Sequence, residues 1–358
     1  MTITIDATST LVRSAGIKNY IWHWMRHLRK QGADVRGFPF LDGYGKLDHE
    51  ASALSRPATM ARFALIKSMN EVGFPPLDWL IPDADIFHAT NLMRRAPRRA
   101  KLTATIHDLT CWLMPGVHTP ANVKADLQFA ENILRRADGL IAVSENTRHD
   151  AIRLLNIPPE RIRTIHSGIG AAYFDAAPVW RDRPYALYVG TIEPRKNLDT
   201  LLDAWALLKP SLREEFDLVI AGPRGWNSEK TLARIEREAT YLGYVPEGAL
   251  PGLTAGATVF VYPSLYEGFG FPVAQAMAAG VPVLTSNNSC LPEITGDAAI
   301  LVNPMSAAGI AAALTRMLES ESLRMELRAG GKKRAELFRW EKCAIESLQF
   351  FRSVCGSV

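Results

Sequence analysis

The sequence predicts an α/β protein made of two doubly wound, Rossmann-like parallel-sheet domains, and three observations carry that prediction. Short β-branched runs alternate with amphipathic stretches, the pattern of strands covered by helices. The alternation runs through twice, with a break of both periodicities around residues 176–184, where the sequence reads APVWRDRP. The length of 358 residues is that of about two domains at roughly 150 residues each.

In the first series the expected strands are residues 2–6, 85–88, 102–107, 139–143 and 163–166. The first of them sets Ile3 and Ile5 on one face. Helical periodicity appears over residues 17–30 and 123–136. The second series offers strands at 185–190, 217–221, 258–262, 282–285 and 299–301, with helices at 197–208, 228–241, 272–279 and 307–320. The domains are therefore placed at residues 1–180 and 181–338, with residues 339–358 as a C-terminal segment. Two such sheets make a cleft between their carboxyl ends, where open α/β sheets bind ligands.

Composition narrows the class. An apolar fraction of 47% with 22% charged residues excludes a disordered, collagen-like or coiled-coil chain. The longest apolar run, residues 271–284, contains Gln275 and two prolines and falls short of the roughly 18–20 residues of a membrane span. The first ten residues lack a basic n-region, so no signal peptide and a cytoplasmic location are expected. Cys111, Cys290, Cys343 and Cys355 are too scattered for a disulfide framework or a zinc site and read as free thiols. The net charge of +4 is uneven: residues 1–180 hold 22 Lys/Arg against 17 Asp/Glu, the remainder 19 against 20. Much of the excess is the cluster Arg94, Arg95, Arg98, Arg99 and Lys101, suited to anionic lipid, to a phosphorylated substrate, or to solvent alone. Ahead of it, Met60, Phe63, Ala64, Ile66 and Lys67 fall at near-helical spacing, either as a helix docking on an anionic inner leaflet or as a plain core-facing helix.

Chemistry is densest in YPSLYEGFGFPVAQAMAAG, residues 262–280. A strand ending at Tyr262 leads into a loop with Glu267, Gly268, Phe269 and Gly270, and Pro272 then opens a helix. Glycines flanking an aromatic let the backbone turn tightly, so that amides and the positive end of the helix point at one anion. Glu267 in the loop and Gln275 about one turn into the helix then face the cleft and suit the hydroxyls of a sugar and a ribose. The plainer alternative is a capping carboxylate and a surface amide. In YVGTIEPRKNL, residues 188–198, Arg195 and Lys196 open another helix against its dipole, a cost that a bound anion relieves. In TIHDL, residues 105–109, His107 and Asp108 end a buried strand, with a core histidine as the alternative.

From Tyr266 to Pro304 the sequence resembles the donor-site signature of the retaining, GT-B-fold nucleotide-sugar glycosyltransferases of family 4. In that family a glutamate contacts the transferred sugar, as Glu267 would, and a second glutamate eight positions on holds the ribose hydroxyls. This chain has Gln275 there, which keeps a hydrogen bond and loses its charge-assisted part. Residues 188–198 resemble the family's phosphate clamp; Thr191 stands where many relatives carry an arginine, so Arg195 is expected to supply the guanidinium, beside Lys196. SAGIKNY, residues 14–20, resembles the first glycine loop, whose Gly16 backbone approaches the donor phosphate. The resemblance also puts His107 close to the sugar, Asp108 on the acceptor side, and Ser144 either facing the acceptor or capping a helix. Arg224 of GPRGW would border the diphosphate, and the backbone around Tyr244 and Val245 would meet the base. Asp83, Ala84 and Asp85 spell the DxD motif of a different glycosyltransferase fold and are read here as a turn.

The combination of TIEPRKNL with GPRGW is similar to bacterial mannosyltransferases of polysaccharide assembly. What the resemblance implies is transfer of a hexose, mannose from GDP-mannose, with retention, to a hydroxyl of a glycan or polyprenyl-diphosphate-linked acceptor in polysaccharide or O-antigen assembly. The departing phosphate itself takes the acceptor proton, so neither a protein base, a cofactor nor a metal is expected, and nucleic acid is not a partner. The acceptor belongs to residues 1–180, the C-terminal segment crosses back to that domain, and peripheral contact with an anionic inner membrane is a further expectation. The alternatives are a UDP-sugar donor, a phosphorylase or epimerase of similar construction, and a non-catalytic sugar-nucleotide-binding protein.

Overall fold

A computed structural model describes residues 1–12, 16–41, 51–90 and 92–356. The chain forms two compact units, Met1–Gly168 with Trp340–Val358, and Ile169–Arg339. The expected boundary at residue 180 thus falls inside the second unit. The reason is local: Ile169 pairs in parallel with Arg339, and its amide donates to the Phe338 carbonyl at 2.8 Å.

The first unit is a parallel sheet of β1 (Thr2–Asp6), β2 (Asp34–Phe38), β3 (Ile86–Ala89), β4 (Lys101–Ile106), β5 (Gly139–Ala142) and β6 (Ile162–Thr164), in the order β2-β1-β3-β4-β5-β6. The chain reverses direction of travel across the sheet between β1 and β3, the switch point at which such sheets bind ligands. Asp6 pins it: its carboxylate accepts from the Thr8 amide (3.0 Å), the Thr90 amide (3.1 Å) and the Thr90 hydroxyl (2.7 Å). Ile3, Ile5, Phe87, Ala104 and Leu140 are fully buried in the strands. α1 (Gly16–Lys30) covers one face and turns Tyr20, Trp24 and Leu28 inward at helical spacing. The C-terminal helix Trp340–Val354 packs on α1: Trp24 Nε1 donates to Ser347 Oγ at 2.9 Å, and the Trp340 and His23 rings stack with centroids 5.5 Å apart. α2 (Arg56–Glu71) buries Ile66 and Met69 in the core and leaves Met60 exposed, so the core-facing explanation holds for its inner face. α3 (Leu77–Leu80) follows it.

The second unit holds β7 (Tyr185–Val189), β8 (Asp217–Ala221), β9 (Thr240–Gly243), β10 (Val259–Tyr262), β11 (Val283–Ser286) and β12 (Ala299–Val302), all parallel, in the order β12-β11-β10-β7-β8-β9. Its switch point lies between β7 and β10. Leu187, Val219, Phe260 and Val283 are fully buried.

Two strands escape the sequence prediction. β2 carries Asp34, Arg36 and Gly37 and has a strand's shape only through its register with β1. β9 occupies the end of the predicted helix 228–241; the helix stops at Glu238, and Thr240–Gly243 becomes a partly buried edge strand. Asp83 and Asp85 lie in a turn, where Asp85 accepts from the Thr2 amide (2.7 Å) and Asp83 faces Arg36 (3.7 Å). Cys111, Cys290 and Cys343 are buried, Cys355 is partly buried, and all four are free thiols.

Candidate functional site

The loops leaving β7 and β10 flank the switch point of the second unit, and they carry most of the expected residues. β7 runs through Gly190 to Glu193, then a 3-10 turn Pro194–Lys196, then Asn197 in the left-handed region (φ 59°) before the helix Leu198–Ala206. β10 runs through Ser264 to Glu267 and the helix Phe271–Ala278, with Gly270 at its N-cap (φ 78°), a backbone angle that favours glycine. The loops are fastened together. Arg195 O accepts from the Leu265 amide (2.9 Å), Arg195 donates to Tyr266 O (2.6 Å), and Asn197 Nδ2 donates to Pro263 O (3.0 Å) and Pro304 O (2.7 Å).

Glu267 is the centre of this arrangement. Its Oε1 accepts from Lys196 Nζ (2.6 Å), Ser264 Oγ (2.6 Å) and the Tyr262 hydroxyl (3.0 Å), and Oε2 lies 3.2 Å from Arg195. Burial by itself would raise its pKa; the Lys196 and Arg195 charges overcome that and hold it at about 2, so the carboxylate is ionised at neutral pH. Arg195 also pairs with Glu193 at 2.7 Å, and Lys196 sits over the face of Tyr262, 5.2 Å from the ring centroid. Arg195 and Lys196 are therefore not bare cations opposing a helix dipole, as the sequence alone suggested; two carboxylates already compensate them. An arriving anion meets them by exchange of ion pairs.

The other second-unit residues expected at the donor lie on the segments that follow its strands. The Phe269 ring is 4% exposed and packs edge-on against Phe271 and Phe338, so it anchors the loop. Gln275 lies one turn into the helix, partly buried, and its side-chain amide has no hydrogen-bond partner among the described residues. Exits of β7, β8 and β9 are also tied. Gly222 (φ 150°) lies so close against the Gly190 backbone that any Cβ would collide with it, Ile192 bridges to Arg224 in parallel, and the Gly222 amide donates to Gly243 O at 2.7 Å. Arg224 is exposed and lies 3.4 Å from Glu236, and Tyr244 and Val245, just past β9, are partly buried.

In the first unit, Gly16 is the exposed first residue of α1, with open space where a Cβ would be; Ser14 and Ala15 of the same motif lie outside the described residues. His107 follows β4 with its ring edge-on to Tyr20, centroids 4.9 Å apart. Burial lowers its pKa to about 4 although Asp108 favours the charged form, so the imidazole is neutral at pH 7. Its shielded Nε2 has no hydrogen-bond partner among the described residues. Asp108 caps the turn beyond, accepting from the Thr110 amide (3.0 Å) and hydroxyl (2.7 Å). Ser144 is completely buried and caps the helix Glu145–Leu155, accepting from the Thr147 amide at 3.1 Å; of its two expected roles the structure shows the cap.

Sequence reasoning missed Glu193, Tyr262 and Ser264 as partners of this network, and His88, which is fully buried between the Thr103 and Thr105 hydroxyls at 2.9 Å each. The available signal was a polar residue inside or just beyond an apolar strand. Among the described residues no cluster of three or more His, Cys, Asp or Glu could hold a metal ion, and no helix is long and apolar enough to cross a membrane.

Comparison with known proteins fits this arrangement. Residues 174–334 match the model of glycosyl transferases group 1, and residues 14–173 that of glycosyltransferase family 4. The chain is 35% identical over 285 residues to O-antigen chain mannosyltransferase B of Escherichia coli, covering 75% of this chain and 74% of that protein. Among solved structures, sucrose-phosphate synthase from Thermosynechococcus elongatus shares the fold with a TM-score of 0.74 at 22% identity, covering 99% of both chains. Anabaena Alr3699/HepE in complex with UDP-glucose does so with a TM-score of 0.70 at 15% identity, covering 98% of this chain and 99% of that one. The donor motif on the second switch point, the two parallel sheets and these matches lead to one conclusion: the chain belongs to glycosyltransferase family 4 and is a glycosyltransferase of the GT-B fold.

Proposed function

We propose that the enzyme is a retaining mannosyltransferase that moves mannose from GDP-mannose to a hydroxyl of a glycan or polyprenyl-diphosphate-linked oligosaccharide in polysaccharide or O-antigen assembly. The observation that carries the reading is the charged network at the β7/β10 switch point, joined to the likeness to an O-antigen mannosyltransferase. Departure of the nucleoside diphosphate builds negative charge on its distal phosphate. Arg195 and Lys196 take up that charge together with the backbone amides of Gly268 and Gly270, in a buried site where fixed charges act strongly. Glu267, released from part of its pairing, orients the sugar hydroxyls. Gln275 bonds the ribose, Arg224 borders the diphosphate, and the backbone at Tyr244 and Val245 meets the base. The first unit takes the acceptor, with His107 and Asp108 at the carboxyl edge of its sheet and His107 offering a neutral imidazole, while the Gly16 backbone approaches the donor phosphate. The phosphate that leaves accepts the acceptor's proton on the same face of the sugar, which gives retention without a protein base. The reaction as proposed uses no cofactor or metal, and the enzyme works in the cytoplasm, with the basic cluster of the first unit against an anionic inner membrane.

A thermal-shift panel of GDP, UDP, ADP and their common sugar conjugates tests the donor. A ligand that binds only the native state at 100 times its Kd adds about 2.7 kcal/mol, and a shift confined to GDP and GDP-mannose is expected, lost in Lys196→Ala. A UDP-selective shift replaces mannose by a UDP-sugar, as HepE binds, and no shift with any nucleotide removes the donor site. An inverted product anomer, read by NMR, would overturn the retaining mechanism.

A further inference from the structure

Toward the amino-terminal ends of β3, β4 and β5 the first unit holds a cavity of about 480 Å³. Three segments enclose it: the turn from α2 into α3, the connection from β3 to β4, and the chain entering β5. His107 and Ser144 stand just beyond the opposite ends of β4 and β5, and strands of 4–6 residues separate those ends by roughly 13–20 Å. The cavity is therefore distinct from the residues assigned to donor and acceptor.

Its wall carries Arg94, Arg95, Arg98 and Arg136 against a single carboxylate, Asp78. Asp78 is turned to the backbone, accepting from the amides of Arg98 (2.9 and 3.1 Å) and Arg99 (2.9 Å). Asn70 fastens the same connection, donating to Leu92 O (3.1 Å) and accepting from the Arg94 amide (3.0 Å), and Arg95 Nε donates to Met69 O (3.3 Å). The frame thus stands on backbone bonds and on Arg95. The guanidinium groups of Arg94, Arg98 and Arg136 have no hydrogen-bond or ion-pair partner among the described residues. Planar guanidinium forks lining one hollow match phosphate geometry.

The same turn exposes two aromatic rings. Phe74 is 59% exposed and Trp79 67% exposed, and their centroids lie 5.9 Å apart, edge to face. A free phosphate gains nothing from exposed aromatics. A lipid headgroup beneath an apolar layer does, since such rings settle at the membrane–water boundary. We propose that this cavity seats the phosphate of an anionic membrane lipid, held by Arg94, Arg98 and Arg136, while Phe74 and Trp79 enter the interfacial layer. This deepens the membrane reading of the basic cluster and does not depend on which sugar is transferred.

Cosedimentation of the whole protein with vesicles tests it, using phosphatidylcholine alone and phosphatidylcholine mixed with an equal part of phosphatidylglycerol. Binding to the anionic vesicles only is expected. At about fivefold per arginine near an anionic surface, the triple variant Arg94→Gln, Arg98→Gln, Arg136→Gln should bind about a hundredfold more weakly. Phe74→Ser with Trp79→Ser should weaken vesicle binding as well, and an equal charge change on the second unit, Lys230→Gln, Arg237→Gln and Arg316→Gln, should not. Equal loss in that control, wild-type binding by the first triple variant, or no binding of anionic vesicles by the wild type overturns the proposal. Inorganic pyrophosphate, titrated with GDP saturating the donor site, separates the remaining source: arginine-dependent pyrophosphate binding without vesicle binding assigns a soluble anion and overturns the lipid. Transfer to a soluble acceptor, measured without vesicles, stays at the wild-type rate in the triple variant, so failure here leaves the transferase reading standing.

Discussion

The carboxyl edges of the two sheets share a topology and handle charge in opposite ways. In the first unit burial dominates, and it works against the charged forms of His88, His107 and Asp6. Burial lowers His88 to about 3 and His107 to about 4, and raises Asp6 above its ordinary value against the hydrogen bonds from Thr8 and Thr90. In the second unit the charges are kept and cancelled, Glu193 and Glu267 against Arg195 and Lys196, and Glu267 is driven down to about 2. Desolvation wins where partners are hydroxyls and rings; Coulomb attraction wins where partners are cations within hydrogen-bond reach. An edge that receives a diphosphate, as proposed for the second unit, needs real charge, and it can keep that charge buried only by holding counter-ions in place until the ligand arrives.

The largest expected effect comes from removing the counter-ion. Glu267→Gln leaves Arg195 and Lys196 buried and undercompensated and should cost about 3–5 kcal/mol in urea unfolding of the second unit; a loss below about 1 kcal/mol would break the contrast between the edges. Acid should separate them next. The buried histidines have folded-state pKa values below the ordinary 6.5, so below pH 6.5 the unfolded chain binds more protons and stability falls with pH, by about 2 kcal/mol per histidine at pH 5. Asp6, shifted upward, opposes part of that fall near the carboxylate range. Glu267, shifted downward, contributes stability that is complete above about 4.5 and lost only as pH falls from there toward 2. Hydrogen exchange at pH 5 against pH 7 should therefore show β3 and β4 losing protection before β7 and β10, and the reverse order would sink the comparison. The smallest effect is Ser144→Ala, which should cost about 1 kcal/mol for the lost cap and leave the KM for acceptor unchanged. A raised KM with unaltered stability would move Ser144 from scaffold to substrate.

What could be read from the sequence was whatever a residue demands locally. Gly270 requires a positive φ, Pro272 a helix start, and alternating Ile3 and Ile5 a strand, so most strands of both sheets and the glycine loop before Pro272 were visible in one dimension. β9 was not, because Leu232 and Ile235 set a helical period that the next few residues do not visibly interrupt, and only pairing with β8 makes Thr240–Gly243 a strand. The ion network was hidden for the same reason. Lys196 and Glu267 are 71 positions apart, and no local rule states that they touch, or that Glu193 turns back on Arg195. The basic cluster was plain as a run of letters, while its convergence with Arg136 and the exposed Phe74–Trp79 pair required the folded connection between β3 and β4.

The return of helix Trp340–Val354 to α1 has a consequence for how the protein is made. Trp24 meets Ser347 across 323 positions of chain, so the first unit waits for its last helix until nearly all of the described chain has left the ribosome. The second unit, Ile169–Arg339, is continuous and can close as soon as it emerges. During translation the order of completion is then second unit first, with the apolar face of α1 uncovered in the meantime. That interval is when a nascent chain of this enzyme is most exposed to chaperones and to aggregation, and slowing elongation before codon 340 would prolong it.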